Sequence, residues 1–315
     1  MPTRRSFLKQ ASLATTGLLI FKTGLLRAAL LDSDLYNMGL DNAGLNNTSP
    51  FRKGSPIGLQ LYTLRHEIDK DLPGTLQRVS GIGYTDVEVF GYKDGHFFGL
   101  SPADFAALLK KNGLVSPSGH YSLPNYLGKG DEEELKRTVA DAKALSHEYL
   151  TIPWLPENLR TSLDDYKTLV GRLNKAGQIV KDAGMKLAYH NHNFEFKDWG
   201  GGQTGFDILV KESDPSLVNF EMDIYWVTKA GMDPIQLIKA HPGRFVMWHV
   251  KDMDSTPDKS FTEVGSGIIN YKEIFKYKKE SGMKRFFIEQ DEVKIPVYDS
   301  ITKSFQYIRD NILHA

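Results

Sequence analysis

From Pro56 onward, short apolar runs rich in β-branched and aromatic residues alternate with longer stretches whose apolar positions recur every three to four residues. The short runs read as strands at 57–62, 86–90, 115–121, 149–153, 186–192, 218–223, 245–250 and 285–289. The longer stretches read as helices at 72–82, 102–112, 132–145, 162–183, 234–241 and 271–281, with a closing helix at 299–313. Gly113, Gly184 and Gly282 follow three of them, where a left-handed C-cap favours glycine. Strand and helix in strict alternation imply parallel strands joined by crossover helices, and eight strands are the number that closes a barrel. The expected fold is α/β: a single-domain (β/α)8 TIM barrel over 56–315. An open doubly wound sheet is the rival, but no Gly-x-Gly-x-x-Gly turn follows the first strand and no Walker-type loop is present.

The pattern ahead of Pro56 is different. Residues 1–31 place Arg4-Arg5 before Phe7, Leu8 and Lys9, then an apolar stretch from Ala11 to Phe21 that Lys22 interrupts. This resembles a twin-arginine export signal, too short in its apolar part for a stable membrane anchor. Export, to the periplasm, is the expectation. Residues 32–55, rich in Asp, Asn, Gly and Ser without sustained periodicity, read as a linker.

Charge and composition narrow the chemistry. Lys plus Arg and Asp plus Glu number 39 each, so no net field recruits nucleic acid. The chain has no cysteine, which excludes disulfides, thiol catalysis and thiolate ligands and leaves His, Asp and Glu to bind metal. In a parallel barrel the working site lies at the C-terminal strand ends, and there the polar residues gather. The second strand carries Glu88 and the third ends in His120-Tyr121. The fifth gives His190-Asn191-His192-Asn193-Phe194-Glu195, the sixth Glu221-Met222-Asp223, the seventh His249-Val250-Lys251 and the eighth Glu289-Gln290-Asp291.

Asp223, His249 and Glu289 come from neighbouring strands and could converge on one divalent ion; an oxygen and nitrogen donor set without sulfur suits Mn, Mg, Co, Fe or Zn. Taken singly, each is as well explained by packing, Asp223 by capping a helix. Taken together they are not. Alternation points His190 and His192 to the same side, so that one can ligate while the other contacts substrate. Glu195 could serve as ligand or base, or be an exposed loop acid. Aromatic residues near the strand ends, Trp154 and Trp226 among them, suit stacking against sugar CH faces.

From Ile57 to the C-terminus the chain resembles the xylose isomerase-like barrel superfamily of sugar isomerases, epimerases and dehydratases. The resemblance implies one divalent metal held by Glu, Asp, His and Glu from the fifth to eighth strands, and Asp223, His249 and Glu289 fit the last three. His190-Asn191-His192 stands where Glu-Asn-His is frequent, so His190 becomes the candidate first ligand and simple two-base epimerisation is put in doubt. The paired histidines resemble the inosose dehydratase-like branch. The expected activity is a metal-dependent sugar isomerase or epimerase, or a keto-sugar or cyclitol dehydratase (a lyase), working through an enediolate-like intermediate. Glu289, His192, Glu195 and Lys251 are its candidate catalytic groups, and Glu88, His120 and Trp226 its substrate contacts. Two other readings stand beside it: a non-catalytic exported carbohydrate-binding barrel, and an endonuclease-like phosphodiesterase, which the neutral charge disfavours. The expected partner is a small carbohydrate; the sequence sets no oligomeric state.

Overall fold

The computed structural model describes residues 56–314; the expected twin-arginine segment and the expected linker lie outside the described residues. Eight strands make up the main sheet, in chain order: β1 (Gly58–Gln60), β2 (Asp86–Val89), β3 (Val115–His120), β4 (Tyr149–Ile152), β5 (Lys186–His190), β6 (Val218–Asp223), β7 (Phe245–Val250) and β8 (Arg285–Ile288). Each pairs in parallel with its sequence neighbours, and β8 returns to β1, so the sheet is a closed barrel. Several strands read as near-continuous apolar runs because helices cover their outer faces; every residue of Phe245–Val250 is buried.

All eight expected strands are present, with trimmed ends. At the first, the chain leaves the sheet after Gln60, whose side chain accepts the Tyr62 N–H and starts a 3₁₀ turn at Leu61–Leu64. The helix expected from residue 72 begins at Arg65 and runs to Ile82, broken at Asp71, whose φ of −157° is not helical. Pro73 opens the segment beyond that break, and Asp71 Oδ1 accepts the Gly74 N–H. Two of the longer helices start on ordinary caps: Ser101 accepts from Asp104 N–H ahead of Pro102–Lys111, and Ser162 with Asp165 closes a capping box ahead of Leu163–Asp182. Gly113, Gly184 and Gly282 take φ of 67°, 84° and 83° after their helices, as a left-handed cap requires. Three short helices lie outside the expected helical ranges: Pro124–Lys129, Gly205–Glu212 and Ile224–Lys229. Two of them are only six residues long and leave little periodicity to detect.

The apolar core has two parts. The larger fills the space between sheet and helices. The smaller, Tyr149, Ala188, Val246, Met247 and Phe287, is a separate apolar cluster on the strands β4, β5, β7 and β8. Side chains two residues apart share a face of a strand, so a step of two from four of these members reaches Thr151, His190, His249 and Glu289. The barrel interior therefore changes from apolar to polar, and at three of the four strands to ionisable, in one step toward the C-terminal strand ends. Among the described residues no helix is long and apolar enough to cross a membrane.

Candidate active site

Register brings the ionisable residues together. Asp223 stands beside His249, His190 beside Glu221 and Gln60 beside Glu88, which itself faces Ser118. The side chains form two tiers that share His190 and His249.

The inner tier is built on Glu88 and Glu221, both fully buried. Glu88 accepts from Gln60 Nε2 at 2.7 Å and Ser118 Oγ at 2.6 Å, and lies 2.6 Å from His249 Nε2. Glu221 Oε2 stands 2.8 Å from His120 Nε2 and 3.0 Å from His190 Nδ1. Burial by itself would raise both carboxyls, yet His120 and His249 hold Glu88 well below the carboxylate range. Burial and the Glu88 charge likewise oppose ionisation of Glu221, but His249, His120 and His190 bring it down to about 2. In return His120 overcomes its burial and rises to about 9 through Glu88 and Glu221.

The outer tier uses the opposite ring nitrogens. His249 Nδ1 lies 2.7 Å from Glu289 Oε2 and 4.0 Å from Asp223 Oδ2, and His190 Nε2 lies 3.7 Å from Asp223 Oδ2. Asp223 divides its oxygens: Oδ1 accepts the Trp226 N–H at 3.0 Å and caps Ile224–Lys229, while Oδ2 is buried and faces the Lys251 ammonium at 3.0 Å. The expected helix cap and the expected ligand are thus two atoms of one side chain. Burial raises Asp223 to about 6 against the pull of Lys251 and His249, whereas Lys251 and His249 overcome the burial of Glu289 and hold it well below the ordinary range.

These atoms fit a divalent metal. Candidate donors on Asp223, His249 and Glu289 lie within 4.8 Å of one another. Ligands bonded at about 2.1 Å stand roughly 3.0 to 3.4 Å apart around an octahedral or tetrahedral ion, within reach of that spacing. Asp223 Oδ2 supplies a buried carboxylate oxygen that takes no hydrogen bond from the barrel wall, its nearest partner being the Lys251 ammonium at 3.0 Å. With a metal bound, the inner carboxylates would serve the imidazoles as orienting partners, fixing which ring nitrogen is free to ligate.

Above the outer tier opens a cavity of about 670 Å³ lined by His120, His190, His192, Trp226, Lys251 and Glu289, with Tyr62, Phe90 and Trp154 in its walls. The His192 ring stacks on Phe194 and meets Trp154 edge to face at 4.8 Å. Burial, then the nearby Lys251 charge, pushes His192 well below its usual value, so it is a neutral imidazole. His192 Nδ1 and Trp226 Nε1 are buried without partners.

Two expected site residues are elsewhere. Glu88 lies in the inner tier and does not line the cavity, because register sets it beside Gln60 and Ser118, below the strand ends. Glu195 is neither an exposed loop acid nor a cavity group. The 3₁₀ turn Phe194–Phe196 sends its carboxylate to Tyr189 OH and to His192 N–H, each at 2.8 Å. Tyr189 neighbours the inward-facing His190 and points to the other side of the sheet, which draws Glu195 behind the wall. There burial raises it to about 7 despite the Tyr189 hydrogen bond. The residues not singled out were Glu221, two positions before Asp223 and hence on its face, Asp291, which lines the cavity, and Asn191, whose Oδ1 accepts the Asp223 N–H.

A closed parallel barrel with imidazole and carboxylate donors converging at its C-terminal strand ends defines the class: a TIM barrel with a candidate metal site. Within that class the chain belongs to the xylose isomerase-like TIM barrel family, which it matches over residues 76–310. It is similar to an inosose dehydratase of Clostridium beijerinckii, 27% identical over 168 residues, 47% of this chain and 55% of that one. It thus spans about half the length of the curated relatives it matches. A sugar phosphate isomerase/epimerase from Parabacteroides distasonis has a similar structure, with TM-score 0.73 and 28% identity over 85% of this chain and 98% of that one. The IOLI protein with a binding zinc atom shares the fold at TM-score 0.65 and 16% identity, over 81% of this chain and 97% of that one.

Proposed function

We propose that the protein is a divalent-metal-dependent enzyme that acts beside the carbonyl of a keto-sugar or cyclitol, as a dehydratase or as an isomerase or epimerase. The observation that carries this reading is the convergence of His190 Nε2, Asp223 Oδ2, His249 Nδ1 and Glu289 Oε2 under an aromatic-walled cavity. Those four side chains would hold the metal, which supplies Lewis-acid polarisation of the substrate carbonyl.

The chain's own groups account for the proton transfers. Glu289 is ionised and lines the cavity, so it is the base that takes the proton from the carbon next to the carbonyl. For dehydration, the C–H electrons form the new double bond, the neighbouring C–O bond breaks, and the departing oxygen takes a proton and leaves as water. The Lys251 ammonium at the cavity wall donates that proton. The Trp226 N–H and neutral His192 offer a donor and an acceptor to substrate hydroxyls, and His120 a further donor. Dehydration is favoured over two-base epimerisation because His190 occupies the place where the family resemblance implies a second glutamate. The similarity to inosose dehydratases supports the same choice.

The test is to incubate metal-loaded protein with an inosose and with ketohexoses in deuterated water. Water loss, or solvent deuterium at the carbon beside the carbonyl, is expected, with Glu289→Gln slowing either by about 10³-fold. No turnover and no exchange with any of them would favour a carbohydrate-binding barrel instead. We also propose export by the twin-arginine route. Arg4→Lys/Arg5→Lys should retain the protein in the cytoplasmic fraction, and unchanged fractionation would remove that assignment.

A further inference from the structure

Lys251 brings a second cation to the outer tier. Its side chain is 1% exposed, and Nζ lies 3.0 Å from Asp223 Oδ2, 2.7 Å from Glu289 Oε2 and 2.8 Å from Asp291 Oδ1. The first two oxygens belong to the proposed metal ligands. The third does not: Asp291 is 23% exposed and lines the cavity.

An ammonium and a divalent ion compete for that place. A dication bound to Asp223 Oδ2 and Glu289 Oε2 would stand within a few ångströms of Nζ, and like charges that close in a buried site repel strongly. The lone pairs facing Nζ are also the ones a metal must use. Displacement by rotation about the lysine stem leaves the ammonium with Asp291. The Trp226 and Phe261 rings lie 5.9 and 5.7 Å from Nζ, close enough to share in holding a cation. The backbone need not move, since Tyr271 OH clamps the Lys251 N–H at 2.9 Å and its carbonyl at 2.6 Å.

We propose that Lys251 is a resident counter-cation of the acidic pair, that the metal displaces it, and that Asp291 retains the displaced ammonium at the cavity wall. Loading the metal is then the step that presents Lys251 to the substrate. This rests on the metal reading above, and it assigns Asp291 as a positioning residue that acts through Lys251.

The experiment is calorimetric titration of the full chain with Mn²⁺ for wild type, Lys251→Met, Asp291→Asn and the double variant. Removing the competitor should tighten binding by about tenfold or more, and removing its alternative partner should weaken it by about tenfold. In the Lys251→Met background the Asp291 change should fall below about twofold, because the coupling runs through the lysine. Wild type that binds one equivalent with Lys251→Met no tighter overturns the counter-cation, and so does an Asp291 effect that persists without the lysine. If no variant, Lys251→Met included, takes up Mn²⁺, the metal reading itself fails. Asp291→Asn, at a partly exposed position, keeps the test decisive if Lys251→Met does not fold.

Discussion

His147 shows how much a single buried group sets here without touching the cavity. Ser116 Oγ donates to the Ser118 carbonyl at 3.1 Å, so it accepts from His147 Nε2 at 2.9 Å, which leaves Nδ1 to accept from Tyr121 OH at 3.0 Å. That network needs a neutral ring, and burial depresses His147 to about 3 from 6.5. The unfolded chain therefore binds a proton below pH 6.5 that the folded chain refuses until about pH 3. Its contribution is present in full above pH 6.5 and is lost as pH falls, at about 1.4 kcal/mol per pH unit. Thermal unfolding followed from pH 7 to 4.5 should show a shallower decline for His147→Gln than for wild type, whatever the offset between them. Parallel curves would remove His147 from the acid response.

At the scale of elements, the loop after β7 hangs on one carboxylate. Asp252 is fully buried and accepts four backbone N–H groups: Met253 and Ile269 on Oδ1, Gly265 and Gly267 on Oδ2. A Cβ at Gly267 would stand 2.2 Å from the Met253 carbonyl, so only glycine lets this loop close on the aspartate. Asp252→Ala would strand those donors in a buried site, at a cost of about 3 kcal/mol or more. Hydrogen exchange at Gly265, Gly267 and Ile269 should accelerate at least about tenfold while the amides of β5 and β6 keep their protection. Unchanged exchange in the loop would mean that Asp252 does not anchor it.

Across the whole molecule, what could be read from sequence follows from what each signal depends on. The barrel was legible because parallel strands covered on both faces leave apolar runs, and eight of them survive in register in the closed sheet. Asp223, His249 and Glu289 were legible because strand ends in a barrel point to one place. The two-tier arrangement was not, since the depth of a side chain depends on the stagger between strands, and that stagger set Glu88 beneath the site. Glu195 was misplaced for a local reason: a three-residue turn with weak signature returned its carboxylate to Tyr189. Glu221 could have been found by counting two residues back from Asp223 along the same face.

The central claim, that one divalent ion sits on His190, Asp223, His249 and Glu289, is tested most directly by metal stoichiometry. Purified wild type and an Asp223→Ala/His249→Ala variant would be equilibrated with Mn²⁺ and with Zn²⁺, freed of loose metal and analysed by elemental mass spectrometry. The account predicts about one equivalent in wild type and none retained by a variant that still folds, since two of the four ligands are gone. Wild type that retains no metal, or a folded variant that retains as much as wild type, would contradict it.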